Sequence, residues 1–363
     1  MIGQTIAIFV DAYRELNARR LFWVTLILSA MVVAGFATLG VDARGLSIIA
    51  LHLTPPNPSV IYNIIFQRVV IGFWLTWAAT ILALISTAGI FPDLISGGSI
   101  DLFLAKPIGR ARLFLTKYLA GLLFVTLQVL VIAAGSYFVL GWRAHEWKPR
   151  LFLAVPIVLC FFSYLYGLCV LLGVKTRSTI AALLLTILCW GFFATLDYTE
   201  PAVLTFRDIY EFQAPNQRVD ANFAEASLHR AEKDPNMTAM VPVFRHNAEA
   251  ARGQADSDER TLQWLRWAHR LIYATKTVTP KTSDTIDYLE STVFRPDEID
   301  PPRRRDRERR LGAAGPSSLQ IEGAKQAVVE VQSRSAVWII GTSLAFEVVI
   351  VGAAMWIFCR RDY

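Results

Sequence analysis

The sequence predicts an all-α membrane protein. Six transmembrane helices are expected, with an amphipathic interface helix ahead of the first and a large, mostly helical exterior insertion between the fifth and sixth. Three observations carry this. Of 363 residues 54% are hydrophobic and the mean hydropathy is +0.41, whereas soluble domains hold roughly 45–50% apolar residues even with glycine counted. Six apolar runs follow one another, each long enough to cross about 30 Å of hydrocarbon at 1.5 Å per residue. Finally, the charge is unevenly placed. Residues 198–335 hold 20 Lys+Arg against 21 Asp+Glu, leaving 16 against 9 for the remainder. The basic excess therefore belongs to the apolar part, where it reports orientation rather than nucleic-acid binding.

Taken in order, residues 2–16 place Ile2, Ile6, Phe9, Val10, Tyr13 and Leu16 at helical spacing. Arg14, Arg19 and Arg20 come after this run, whereas the charges of a signal peptide precede its apolar stretch, so residues 1–20 read as a surface helix. Residues 21–39 form the first span, 40–60 a polar, turn-rich connection, and 69–91 the second span, with Arg68 at its end snorkelling to headgroups. Residues 92–113 then interrupt the apolar pattern. Ser99 or Asp101 caps a short helix, Pro107 ends it, and Lys106, Arg110 and Arg112 form a basic collar. Spans three, four and five are expected at 114–140, 151–172 and 179–196, with a basic turn at Lys175–Ser178.

Residues 198–335 are too long for a linker, and helices are expected near 217–233, 243–252, 258–277 and 283–294. The third carries Leu262, Trp264, Leu265, Trp267, Ala268, Leu271 and Ile272 with Arg266, His269 and Arg270 interleaved. Such a stripe suits either a lipid headgroup boundary or packing in a small helical domain. Arg303–Arg310, interspersed with Asp306 and Glu308 and flanked by prolines, reads as a solvated linker or headgroup contact. Residues 336–358 form the sixth span, and Arg360-Arg361 stops it. Short segments on the side of the termini hold eleven Lys and Arg against five on the other. That bias places both termini in the cytoplasm of a multi-pass protein of the inner membrane, and residues 198–335 outside.

Catalytic chemistry is scarce. The four cysteines lie in or at the end of apolar runs, and the five histidines show no metal-ligand spacing. No cofactor, metal or nucleic-acid site is expected. Gly167–Thr176 superficially suggests a phosphate-binding loop, but Val174 separates Gly173 from Lys175 and the stretch ends a span. Glu347 is a carboxylate near the middle of the sixth span, where a charge costs about 3 kcal/mol. It lines a translocation path or couples to a proton, or it hydrogen-bonds a polar side chain such as Gln128 of the third span.

One stretch carries a resemblance. Gly98, Ile100-Asp101, Leu104-Ala105-Lys106-Pro107, Arg110 and Lys117-Tyr-Leu-Ala-Gly121, with the Arg-Arg-Asp-Tyr ending, resemble ABC-2 type permeases, the membrane subunits of ATP-binding-cassette exporters. Thr116 stands where a glycine often precedes the lysine. The resemblance implies an exporter half without its own ATPase, paired with a second permease subunit in a homo- or heterodimer and driven by a separate ATP-binding subunit. It implies coupling contacts at Asp101, Leu104, Lys106, Pro107 and Arg110, with Arg14 and Arg19 of the surface helix. The insertion is longer than in ordinary members, which points to a periplasmic partner or a bulky lipid or polymer cargo. A membrane-anchored scaffold or sensor with a protein-binding exterior domain is the alternative, and ion-driven transport through Glu347 a third.

Overall fold

In hydrocarbon a helix satisfies every backbone N–H and C=O within one segment, so apolar runs of this length fold as helices. A computed structural model of the chain describes residues 10, 14, 20–42, 45–48, 51–53, 66–96, 109–143, 147–293, 326, 329–330 and 334–361. Among the described residues, five helices are long and apolar enough to cross a membrane, and Phe22–Ala37 is a shorter apolar helix. The protein is a mainly helical membrane protein.

The elements are α1 (Arg20–Ala37), strands β1 (Leu39–Asp42), β2 (Gly45–Ile48) and β3 (Leu51–Leu53), then a π-helical stretch Phe66–Ala79 that runs into α2 (Thr80–Ala88) and α3 (Ile90–Ser96). They continue with α4 (Arg110–Arg143), a 3-10 turn Pro149–Leu153, α5 (Ala154–Thr176) and α6 (Thr179–Lys233). A second 3-10 turn, Pro235–Met240, leads to α7 (Val241–Val278), α8 (Thr282–Val293) and α9 (Ala336–Arg360). Val10 and Arg14 are helical and exposed, whereas Arg19 and the rest of the expected surface helix lie outside the described residues.

Three expectations are corrected within a mainly helical chain. The connection after the first span is not all turn, because β1, β2 and β3 form a short antiparallel meander in register Leu39↔Ile48 and Ile48↔Leu51. Leu46-Ser-Ile48 and Leu51-His-Leu53 alternate apolar and polar residues, the period of a strand, inside a stretch that composition alone reads as a polar connection. The helices expected at 243–252 and 258–277 are one, α7, since no proline lies between them and Gly253, the weakest helix former there, costs only about 1 kcal/mol. The helix expected at 217–233 is the end of α6, which runs on from the fifth apolar run.

The chain divides into two units, residues 1–194, 279–304 and 336–363 in one and 195–278 with 305–335 in the other. The first holds the apolar core. Phe91, Phe114 and Phe358 meet with ring centroids 4.8, 5.7 and 6.3 Å apart, and Trp77 stacks on Trp190 at 4.7 Å. Arg177 ends α5 in the left-handed region, φ 56°, and its N–H bonds Gly173. α8 belongs to this unit, although its sequence position falls within the expected exterior insertion. Its Ile286, Leu289 and Val293 are buried in the apolar core.

The second unit is a hairpin of the later part of α6 against α7, joined through Asp234, whose carboxylate accepts from the Asn236 N–H at 2.9 Å. Ion pairs tie its arms at every seventh residue: Glu211 with Arg266, Arg218 with Glu259, Glu225 with Arg252 and Glu232 with Arg245. Each step of seven along α6 is met by a step of seven backwards along α7. That spacing is the heptad register of an antiparallel coiled coil. Between the rungs the buried positions are mostly alanine, Ala214, Ala221 and Ala231 on one arm and Ala248 and Ala255 on the other, with Leu262 and Leu265 filling the seam nearer the base.

Gly121 of α4 has the tightest surroundings in the first unit, because a Cβ there would collide with the Tyr166 ring and hydroxyl. Tyr166 in turn stacks on Tyr118, 5.1 Å and 11° apart, and on Phe162, 5.5 Å and 18° apart. Gly121→Ala is expected to push this stack apart and destabilise the protein by about 1–3 kcal/mol, the usual cost of overpacking. A thermal melt in detergent reads the change, and Ala120→Gly on the same helix controls for helix propensity.

Candidate functional site

A carboxylate at mid-span must be hydrogen-bonded or protonated. Glu347 on α9 is half-buried and takes two hydroxyl donors from two other helices. Tyr118 Oη of α4 donates to Oε1 at 2.8 Å, and Ser163 Oγ of α5 lies 2.6 Å from Oε2. The packing of α9 on α5 allows this approach because Gly167, one turn below Ser163, leaves room for Val351 and for the Glu347 Cγ. Glu347 and Gln128 are not brought together. Gln128 is buried, finds no hydrogen-bond partner among the described residues, and lines a small cavity with Leu75, Thr80, Val158 and Phe162. Tyr118 and Ser163 lie within the third and fourth expected spans, and the signal that would have found them is a hydroxyl at matching depth on a neighbouring span.

One turn before Glu347, the same face of α9 meets a buried cation. Ser343 accepts the Lys281 N–H at 3.0 Å, and Lys281 Nζ bonds Thr342 Oγ1 at 2.5 Å while lying 4.2 Å above the Trp338 ring. Lys281 is fully buried. The buried edge of α9 thus carries polar groups from Thr342 through Ser343 to Glu347. Chemically this arrangement holds and orients one carboxyl group between two hydroxyls.

At the other end of α9, Arg110 Nη1 donates to the carbonyls of Cys359 at 3.2 Å and Arg361 at 2.8 Å. Arg361 in turn reaches the carbonyls of Val174 and Lys175 at the end of α5. Guanidinium groups at helix C-termini satisfy orphan carbonyls and complement the helix dipole. Of the expected coupling residues, Arg110 is therefore engaged within the first unit. Asp101, Leu104, Lys106 and Pro107 lie outside the described residues, as does Arg19.

A second cluster, in the hairpin, was not anticipated. Glu200 is fully buried. Arg334 grips it with both Nη atoms at 2.9 and 2.5 Å, Lys276 Nζ lies 3.4 Å from Oε2, and His269 Nε2 lies 3.3 Å from Oε1. Lys276, fully buried as well, also pairs with Asp197 at 3.5 Å. Arg207 Nη1 sits 3.2 Å from His269 Nδ1 and can only donate, so that nitrogen accepts and the ring proton is on Nε2, facing Glu200. Burial alone would raise the Glu200 pKa, but the bonds from His269 and Arg334 and the charges of Arg334 and Lys276 hold it well below the usual carboxylate range. Sequence reading misses this cluster because its members lie far apart in the chain.

Comparison with protein-family models, curated proteins and solved structures gives no match.

Two outcomes follow from these clusters. Replacing Glu347 by Leu takes the 2.8 Å acceptor from the Tyr118 hydroxyl, at about 1–3 kcal/mol, while Ser163 Oγ keeps the Cys160 carbonyl at 2.8 Å. Glu347→Leu should therefore melt well below Glu347→Gln, which keeps one acceptor. For Glu200, a depressed folded pKa means its stabilisation is fully present above the unfolded glutamate value, about 4.5, and is lost as pH falls below it. The melting-temperature difference between wild type and Glu200→Gln should hold steady from pH 7 to about 5 and shrink below about pH 4.5. At neutral pH the variant should lose about 3–5 kcal/mol, because largely buried Arg334 loses its two-pronged carboxylate and Lys276 keeps only Asp197.

Proposed function

We propose that the chain is the membrane-spanning permease subunit of an ABC-2 type exporter, driven by a separate ATP-binding subunit and working as a dimer in the inner membrane with both termini in the cytoplasm. The observation that carries this reading is the run Gly98–Gly121, a basic break followed directly by an apolar helix. In this reading α1, the helices within 66–96, α4, residues 149–176, the first part of α6 and α9 are the six spans. The chain contains no phosphate-binding loop of its own, so the energy comes from a partner.

The contacts of Arg110 supply a route for the coupling. Arg110 opens α4 directly after the basic break and holds the end of α9 through the Cys359 and Arg361 carbonyls. A push from an ATP-binding subunit on residues 98–109 is thereby passed to the helix that carries Glu347. Tyr118, two turns along α4, joins the same helix from the other direction. A displacement of α4 relative to α9 therefore changes the hydrogen bonds of the mid-span carboxylate.

Mild-detergent purification should recover the chain with an ATPase subunit. Lys106→Glu should release that subunit without changing the melting temperature. Arg110→Glu should release it and also lower the melting temperature, since the end of α9 loses its guanidinium. Recovery of the intact protein without any ATPase across several mild detergents overturns the proposal.

A further inference from the structure

The π-helical stretch Phe66–Ala79 packs out of step with the helices beside it. A π turn repeats its side chains at a longer interval than the 3.6 residues of α4 and α5, so ridges on one side stop meeting grooves on the other. The mismatch shows as two small cavities along the stretch. One is lined by Phe66, Val70, Ile132 and Ser136, the next by Ala79, Thr80, Gln128 and Phe162, and Leu75 and Val129 line both. All of these residues lie in the apolar unit.

The second of these cavities is built around an amide. Gln128 stands near the middle of α4 and is 2% exposed, and neither its Oε1 nor its Nε2 has a hydrogen-bond partner among the described residues. The side chains of Leu75, Val125, Val158 and Phe162 that surround it offer none. An amide left dry at that depth is strongly disfavoured, because hydrocarbon supplies neither donor nor acceptor. Thr80 lines the same cavity. Its hydroxyl gives its proton to the Leu75 carbonyl at 2.9 Å, so towards the cavity its oxygen can only accept.

These groups define the ligand. It must donate to Oε1 and accept from Nε2, so a cation or an anion satisfies only half of the amide, and among the described residues no charged side chain lines the cavity to neutralise either. The cavity leaves the centre of a water about 10 Å³ to occupy, which is room for one molecule. We infer that this cavity is a hydration site between the π-helical stretch and α4. One water binds the carbonyl oxygen and the adjacent N–H along one edge of the Gln128 amide and donates its second proton to Thr80. Three hydrogen bonds are the usual complement of a buried water. The water gives the π-helical stretch and α4 a polar contact where their side chains do not mesh, as ordered waters do at other irregular turns of membrane helices.

The site does not depend on the transport reading. It is tested on the full chain in mild detergent by X-ray radiolysis, which makes hydroxyl radicals from bound water as well as from bulk, with a charged scavenger removing those in bulk. Phe162 lines the cavity and is 1% exposed, whereas Phe114 and Phe358 are fully buried and line neither cavity. Mass spectrometry should find Phe162 oxidised several-fold more than either of them. In Gln128→Leu, checked for folding by its melting curve, Phe162 should fall to their level. Phe162 labelled no more than Phe114 and Phe358 in the wild type overturns the inference, as does labelling that Gln128→Leu leaves unchanged. Should Gln128→Leu fail to fold, Gln128→Met, unbranched like glutamine, takes its place with the same two outcomes.

Discussion

Glu200 with its three nitrogen partners is the interaction on which the hairpin depends. An isolated carboxylate at zero exposure would cost several kcal/mol, more than any single apolar contact in the unit returns. The geometry that offsets the cost is specific, with a two-pronged guanidinium from Arg334, an ammonium from Lys276 and an imidazole whose proton is fixed by Arg207. These partners come from α7 and from the segment just ahead of α9, so one carboxylate closes three pieces of chain into one unit. The exposed rungs farther along, such as Arg252 with Glu225 at 2.8 Å, are screened by water and serve chiefly to hold register.

The same rule operates in the apolar unit by different means. Glu347 is answered by two hydroxyls, and Lys281 by a threonine hydroxyl and an indole face. Both lie against α9, the last helix, whose far end is held by Arg110 and Arg361. Its outward side chains, among them Val337, Val348, Val349 and Trp356, are exposed. α9 is therefore held along one face by polar contacts set among apolar ones, with Ala354 and Phe358 buried in the core.

Gly121 shows how the surrounding core is fitted to that acid. The missing side chain admits Tyr166, which stacks on Tyr118, and the Tyr118 hydroxyl is thereby presented to Glu347. Within the run Lys117–Gly121, then, two residues have structural tasks. Tyr118 supplies the donor, and Gly121 makes room for the ring that positions it.

Composition and apolar run length by themselves determined the membrane class, the position of most apolar helices to within a few residues, and Glu347 as the mid-span acid, because crossing hydrocarbon imposes a length and a polarity that any sequence must display. The hairpin rungs were legible too, in the spacing of Glu211, Arg218, Glu225 and Glu232 against Arg245, Arg252, Glu259 and Arg266, though only to a reading that sets two helices antiparallel. The partners of Glu347 and the Glu200 cluster were decided by tertiary structure alone. Tyr118, Ser163 and Glu347 are separated by tens to hundreds of residues, as are Glu200, the His269 and Lys276 pair of α7, and Arg334. A buried charge selects its partners by distance in space, which linear order does not encode, and whether a charged residue on a helix faces inward or outward depends on the neighbour against which that helix packs.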